Sequence, residues 1–128
     1  MLAYKFLEGG RSPFTGWRWE LPRAGSEPTW LKVTGPLGLC DNGVHACAPG
    51  HLPLWMSDEL WRIELDGEVL RTEVALVASQ ARLLDRVEAW DPAARDAFAR
   101  YCAGRAQRLA DREAATAPVA AAVHSAAA

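Results

Sequence analysis

The chain is short of lysine, with two in 128 residues against six tryptophans. Basic residues number 14 against 16 acidic ones, for a formal charge of −2 and a pI near 5.9. The clustered positive face that nucleic-acid binding requires is therefore missing. The arginines from Arg82 onward are interleaved with Asp85, Glu88, Asp91, Asp96, Asp111 and Glu113, which reads as a solvated surface of mixed sign. No apolar run approaches the roughly 20 residues of a membrane-spanning helix, and Met1-Leu2-Ala3-Tyr4-Lys5-Phe6 carries no signal-peptide hydrophobic region. Neither a membrane nor a nucleic acid is expected as a partner. Cysteine is scarce too: three residues, an odd count without the spacing of a secreted framework, predict free thiols in a reducing cytoplasm. The P-loop, GxGxxG, GxSxG and HExxH patterns are all absent. Asp41-Asn42-Gly43 is followed by no further oxygen donors at calcium-loop intervals, so it reads as a turn.

What is present predicts an ordinary globular domain. Half the residues are apolar and 23% charged, and the length suits one domain with a modest core. Residues 1–113 are assigned to that domain, and the alanine-rich residues 114–128 to a frayed or disordered tail that leaves His124 outside any site. Leu2 to Leu7 reads as a strand, with Tyr4 and Phe6 alternating around Lys5. Gly9-Gly10-Arg11-Ser12-Pro13 breaks it. Trp30 to Val33 is a second short extended segment, and His51 to Met56 a helical turn or two, Pro53 being tolerated near its start. Asp66-Gly67 between alternating segments predicts a two-residue hairpin turn. In that register Leu65 faces Glu68, Ile63 faces Leu70 and Trp61 faces Thr72. Val74 to Val77 continues extended, Ser79-Gln80 interrupts, and Arg82 to Val87 forms a further strand. Asp91-Pro92 is a helix start, with Asp91 as N-cap, and Ala94, Phe98, Cys102 and Leu109 recur at helical spacing as far as about Glu113. Short strands followed by one long helix, without βαβ alternation, predict an α+β fold: a curved, mainly antiparallel sheet with the C-terminal helix packed on one face.

The chemistry-bearing residues concentrate between Cys40 and His51. Cys40, His45, Cys47 and His51 spell C-x4-H-x-C-x3-H, donor types that suit zinc at a spacing unlike the paired knuckles of structural sites. In an extended Gly43–Cys47 segment His45 and Cys47 project to one side. They then line a common pocket, ligate together, or form a thiol–imidazole pair. Alternatively, both cysteines fill the core as small apolar side chains, while His45, a polar ring between Val44 and Ala46, still needs a partner or a cavity. Tryptophan enrichment likewise fits a core filled with large side chains or an aromatic-lined pocket. The expected pocket is lined by His45, Cys47 and some of Trp17, Trp19, Trp55 and Trp61, and takes a small molecule or nucleotide. A zinc-stabilised or structural interaction module, using the arginine-rich helix, is the alternative of a different class.

Tyr4-Lys5-Phe6, Gly16-Trp17-Arg18-Trp19, Gly38-Leu39-Cys40 through Gly43-Val44-His45-Ala46-Cys47, Leu52-Pro53-Leu54-Trp55 and Leu60-Trp61 through Asp66-Gly67-Glu68-Val69 resemble a family of small bacterial and phage domains without an assigned activity. The resemblance spans about residues 2–90 and implies a fold but no mechanism. Gly43 to Pro49, leading into a short helix, is also similar to the segment that lines the NAD site of ADP-ribosyltransferases. That similarity implies NAD as cofactor and a catalytic glutamate on a late strand, Glu64 or Glu68, stabilising an oxocarbenium-like transition state. Lys5 or Arg18 would stand where that superfamily's first strand carries His or Arg, and His45 falls where an aromatic residue is usual.

Overall fold

The computed structural model describes the backbone of residues 1–127 and the side chains of residues 1–116. The fold is α+β: a five-stranded antiparallel sheet and one long C-terminal helix. The strands are β1 (Leu2–Leu7), β2 (Leu31–Lys32), β3 (Val44–Ala46), β4 (Glu59–Arg71) and β5 (Leu76–Arg86). A 3-10 turn, Pro49–His51, leads into the one-turn helix α1 (Leu52–Trp55), and α2 spans Pro92–Ala127. The chain divides into two compact units, Met1–Pro92 and Ala93–Ala128, where the sequence suggested a single domain over residues 1–113.

In the first unit the pairing order is β1-β4-β5-β2, with β3 also on β5, ahead of β2 along the same edge. Tyr4 and Cys47 then exchange both backbone hydrogen bonds, at 2.9 and 2.6 Å. This bridge ties the chain just beyond β3 back to β1, so the sheet closes on itself through this one residue pair. Register places Ala3, Ile63 and Leu83 side by side on one face, with Leu65 beside Ala81 and Ala46 beside Leu76. Ile63, Ala81 and Leu76 have no exposed surface at all. Together with Leu7, Val44, Trp19 and Trp61 they make the core, each large side chain contributing about 1.5–3 kcal/mol by its burial.

The expected hairpin at Asp66-Gly67 is a β-bulge instead. Strand β4 runs straight through it: Asp66 pairs with Gln80 and Val69 with Ala78, so β4 carries one residue more than β5 between those pairs. Gly67 sits at φ 68°, the left-handed conformation that both an I′ turn and a bulge demand, and the Glu68 N–H donates to Ser79 Oγ at 2.9 Å. The actual reversal lies at 72–75. There Thr72 Oγ1 accepts from the N–H groups of Val74 and Ala75 at 3.2 and 3.0 Å, and Thr72 N–H donates to Ala75 O at 2.9 Å. The expected cross-strand partners change accordingly: Ile63 pairs with Leu83 and Trp61 with Arg86, while Arg62 pairs with Asp85. Ser79-Gln80 does not interrupt β5, because both residues serve the bulge from within the strand.

Helix α2 starts at Pro92 as the Asp91-Pro92 pair predicts, but continues beyond Glu113 to Ala127. Alanine is the strongest helix former, so the run from Ala114 favours continuation. Ala94, Phe98 and Cys102 are half-buried, Leu109 is exposed, and Phe98 and Tyr101 stack with ring centroids 6.4 Å apart. The side chains of residues 117–128, and with them His124 and most of the expected tail, lie outside the described residues. No helix among the described residues is long and apolar enough to cross a membrane.

Candidate ligand-binding cavity

A cavity of about 610 Å³ opens in the first unit against the C-terminal half of β1, the β3 segment and the loop at 12–19. That size falls within the range of about 300–1,000 Å³ usual for small-molecule sites. The walls are largely apolar, with Phe6, Phe14, Trp17, Trp19 and Trp55 among them. Ser12 N–H bonds Trp17 O at 2.8 Å and Gly16 N–H bonds Ser12 O at 2.9 Å, a tight loop that lifts Phe14 and Trp17 to the lip. Phe14 adopts φ 70° and is 94% exposed, a strained backbone for a bulky apolar residue that meets solvent almost completely. Trp17 is 47% exposed and stands edge-on to the buried Trp19, with centroids 5.3 Å apart at 87°. Trp19 is fixed by its indole N–H donating to Ser12 Oγ at 2.8 Å. Opposite, Trp55 on α1 donates to Val74 O at 2.6 Å and meets Phe14 edge-on, with centroids 6.2 Å apart.

Lys5 supplies the cation. Its pairing with Trp61 puts it on the core face of β1 along with Ala3 and Leu7. The residue keeps some exposed surface, but its ammonium lies deep, donating to His45 O at 2.6 Å and standing 5.7 Å from the centroid of the Trp19 ring. Among the described residues no ion pair involves it. Desolvation by burial lowers its pKa from the ordinary 10.5 to about 8, Cys47 pulling weakly the other way. Burial conversely pushes the Cys47 thiol up to about 11, against the opposing pull of Lys5.

His45 and Cys47 both line the cavity, as do Trp17, Trp19 and Trp55, so the structure brings five of the sequence-predicted residues together. His45 Nε2 accepts the Cys40 N–H at 2.8 Å, which leaves the proton on Nδ1, 3.2 Å from Gly43 O. The neutral ring thus ties down the 38–43 turn, and desolvation, the largest influence, lowers its pKa further. With both nitrogens on backbone partners, the ring is not paired with a thiol, and Cys47 stays protonated. The nucleophilic thiol–imidazole arrangement is not assembled.

The proposed metal set is not assembled either. Among the described residues no group of three or more His, Cys, Asp or Glu side chains converges. Cys40 is exposed and Cys47 buried. His51, itself buried, uses Nδ1 to accept the Ala48 N–H and Nε2 to donate to Thr72 O, both at 3.1 Å. It staples the 48–51 turn to the β4–β5 reversal. Trp61, Glu64 and Glu68 do not line the cavity. Trp61 is a core residue 3.4 Å from Glu59 Oε1, Glu64 pairs with Arg82 at 3.3 Å, and Glu68 is exposed at the bulge. The carboxylate that an ADP-ribosyltransferase site needs is therefore not supplied by either glutamate.

Among the lining residues that the sequence did not mark as part of a pocket are Phe14 at the lip and Lys5, which entered only as a stand-in for a first-strand His or Arg. Lys5 had a signal, being the single charge among Ala3 and Leu7 on one face of an apolar strand. Phe14 had none, since nothing local shows that Trp55 comes to meet it. No protein-family model, curated protein or solved structure matches this chain.

Proposed function

We propose that the first unit is a small-molecule-binding domain whose cavity takes a planar apolar body, a nucleobase or another aromatic ring system, between Phe14, Trp17, Trp19 and Trp55. One observation carries this reading: Phe14 and Trp17 are held in solvent at the lip of the cavity. Exposing such surface costs stability, and holding Phe14 in the left-handed region adds strain. A ligand that covers both rings would regain the hydrophobic term and add edge-to-face or stacked contacts of about 0.5–1.5 kcal/mol per ring pair. His45 and Cys47 act in this reading as wall, the neutral imidazole setting the 38–43 turn. The three free cysteines favour a reducing, cytoplasmic setting.

A thermal-shift screen of mono- and bicyclic aromatic compounds tests the reading. Hits should raise the melting temperature of the wild-type chain, and the double substitution Phe14→Ala, Trp17→Ala should abolish the shift. The reading is rejected if no compound shifts the wild type at millimolar concentration, or if hits act equally on the double variant.

A further inference from the structure

We infer that Lys5 makes the cavity selective for monoanionic ligands: planar aromatic molecules bearing one carboxylate, or a comparable anionic group, that reaches the ammonium. The inference rests on the cavity being a ligand site and concerns which ligands it takes. The ammonium has three donors, and one of them is used by His45 O at 2.6 Å. The Trp19 face, 5.7 Å away, attracts the charge but accepts no strong hydrogen bond. Among the described residues no carboxylate pairs with Lys5, and the surroundings are mostly apolar: Phe6, Val44, Ala46 and Trp19 line the same cavity.

A neutral aromatic body entering this site would offer the remaining ammonium donors no charged partner, leaving the cation uncompensated in a medium of low polarity. A carboxylate placed there gains a charge-assisted hydrogen bond and neutralises the buried charge. The cavity therefore discriminates by charge as well as by shape. Asp41, which also lines the cavity, adds a repulsive element against a second negative charge on the ligand, so one anionic group is preferred to two.

The test compares 2-naphthoate with its neutral isostere 2-naphthamide by calorimetric titration of the full chain near pH 7. The carboxylate should bind about tenfold tighter or more, in line with a hydrogen bond to a charged group. In Lys5→Met the ratio should fall to about one. Lys32→Met, at the only other lysine and outside the cavity, should preserve it. Binding of both compounds within twofold of each other in the wild type overturns the charge inference while leaving the cavity reading intact. Failure of both compounds to bind at millimolar concentration overturns both readings, and binding of 2-naphthamide alone overturns the charge inference. Persistence of the preference in Lys5→Met shows that the anion is held elsewhere and also overturns the inference. Should Lys5→Met fold poorly, the 13Cε resonance of Lys5 in the wild type decides. Its titration midpoint should rise by about one pH unit or more with 2-naphthoate and stay put with 2-naphthamide, and equal midpoints overturn the inference.

Discussion

Replacing Lys5 with methionine should stabilise the protein near neutral pH, although it removes a hydrogen bond. A methionine has nearly the same length and shape and leaves no charge among Ala3, Leu7 and Trp19. The fall in the Lys5 pKa from 10.5 to about 8 corresponds, at about 1.36 kcal/mol per pH unit, to roughly 3 kcal/mol of penalty on the charged form in the folded state. Against this stands the loss of the partner of His45 O, a cost of about 1–2 kcal/mol for a group left short of a donor. The net expectation is a gain of about 1–2 kcal/mol at pH 7, read by urea denaturation as an increase in the midpoint at unchanged slope.

The pH dependence separates this cause from simple repacking. Between about pH 8 and 10.5 the folded wild type has released the Lys5 proton while the unfolded chain retains it. The unfolded state then binds more protons, and wild-type stability rises with pH through that window as far as Lys5 is concerned. The advantage of Lys5→Met should thus be full below pH 8 and shrink toward pH 10.5. Cys47 acts oppositely: its thiol ionises near 9.0 when unfolded and about 11 when folded, so its contribution to stability is lost as pH rises from 9 to 11. That second effect is common to both proteins and largely cancels in their difference. A variant less stable than wild type by more than about 1 kcal/mol at pH 7 would refute the reasoning, a cost of that size being what loss of the hydrogen bond alone predicts. So would a stability difference that is flat from pH 8 to 10.5.

Three further outcomes are expected. Gly43→Ala should destabilise by about 2–4 kcal/mol in chemical denaturation, of the order of an overpacking cost with backbone strain added, because Gly43 lies at φ 123° and a Cβ there would strike Val77 and come within 3.0 Å of Leu37. His51→Leu, which strands the Ala48 N–H and the Thr72 carbonyl, should cost about 2–3 kcal/mol by the same measurement, near 1–3 kcal/mol for each unsatisfied buried group. In timed alkylation with iodoacetamide at pH 8, followed by peptide mass spectrometry, Cys40 should react well before Cys47. Cys40 is exposed, whereas Cys47 is buried with its thiol held at about 11.

Local chemistry in the sequence was enough for β1, the short helix after Pro49-Gly50, and the start of α2 at Asp91-Pro92. In each case a strand alternation, a turn pair or a cap acts within a few residues. Asp66-Gly67 misled because it meets the same conformational demand in two settings. A glycine at positive φ serves a bulge as well as a hairpin turn, and only the partner strand decides between them. The true reversal at Thr72 is closed by a threonine hydroxyl, with no glycine, proline or asparagine to mark it. The cavity divided in the same manner. Trp17, Trp19, His45, Cys47 and Trp55 stood out by residue type and clustering, whereas Trp61 was named by residue type alone and lies in the core, and Glu64 and Glu68 were named by the similarity to ADP-ribosyltransferases. Lys5 gained its role only through contacts with His45 and Trp19, which lie 40 and 14 positions away along the chain.

The binding role of the aromatic cavity is tested most directly by 1H–15N spectra of the six indole N–H groups during titration with 2-naphthoate. Trp17, Trp19 and Trp55 line the cavity, whereas Trp30, Trp61 and Trp90 do not. The first three resonances should shift in a saturable manner with a common dissociation constant, and the other three should stay close to their starting positions. Titration to saturation with the cavity tryptophans unmoved, or with all six shifting alike, would contradict the assignment of the cavity as the ligand site.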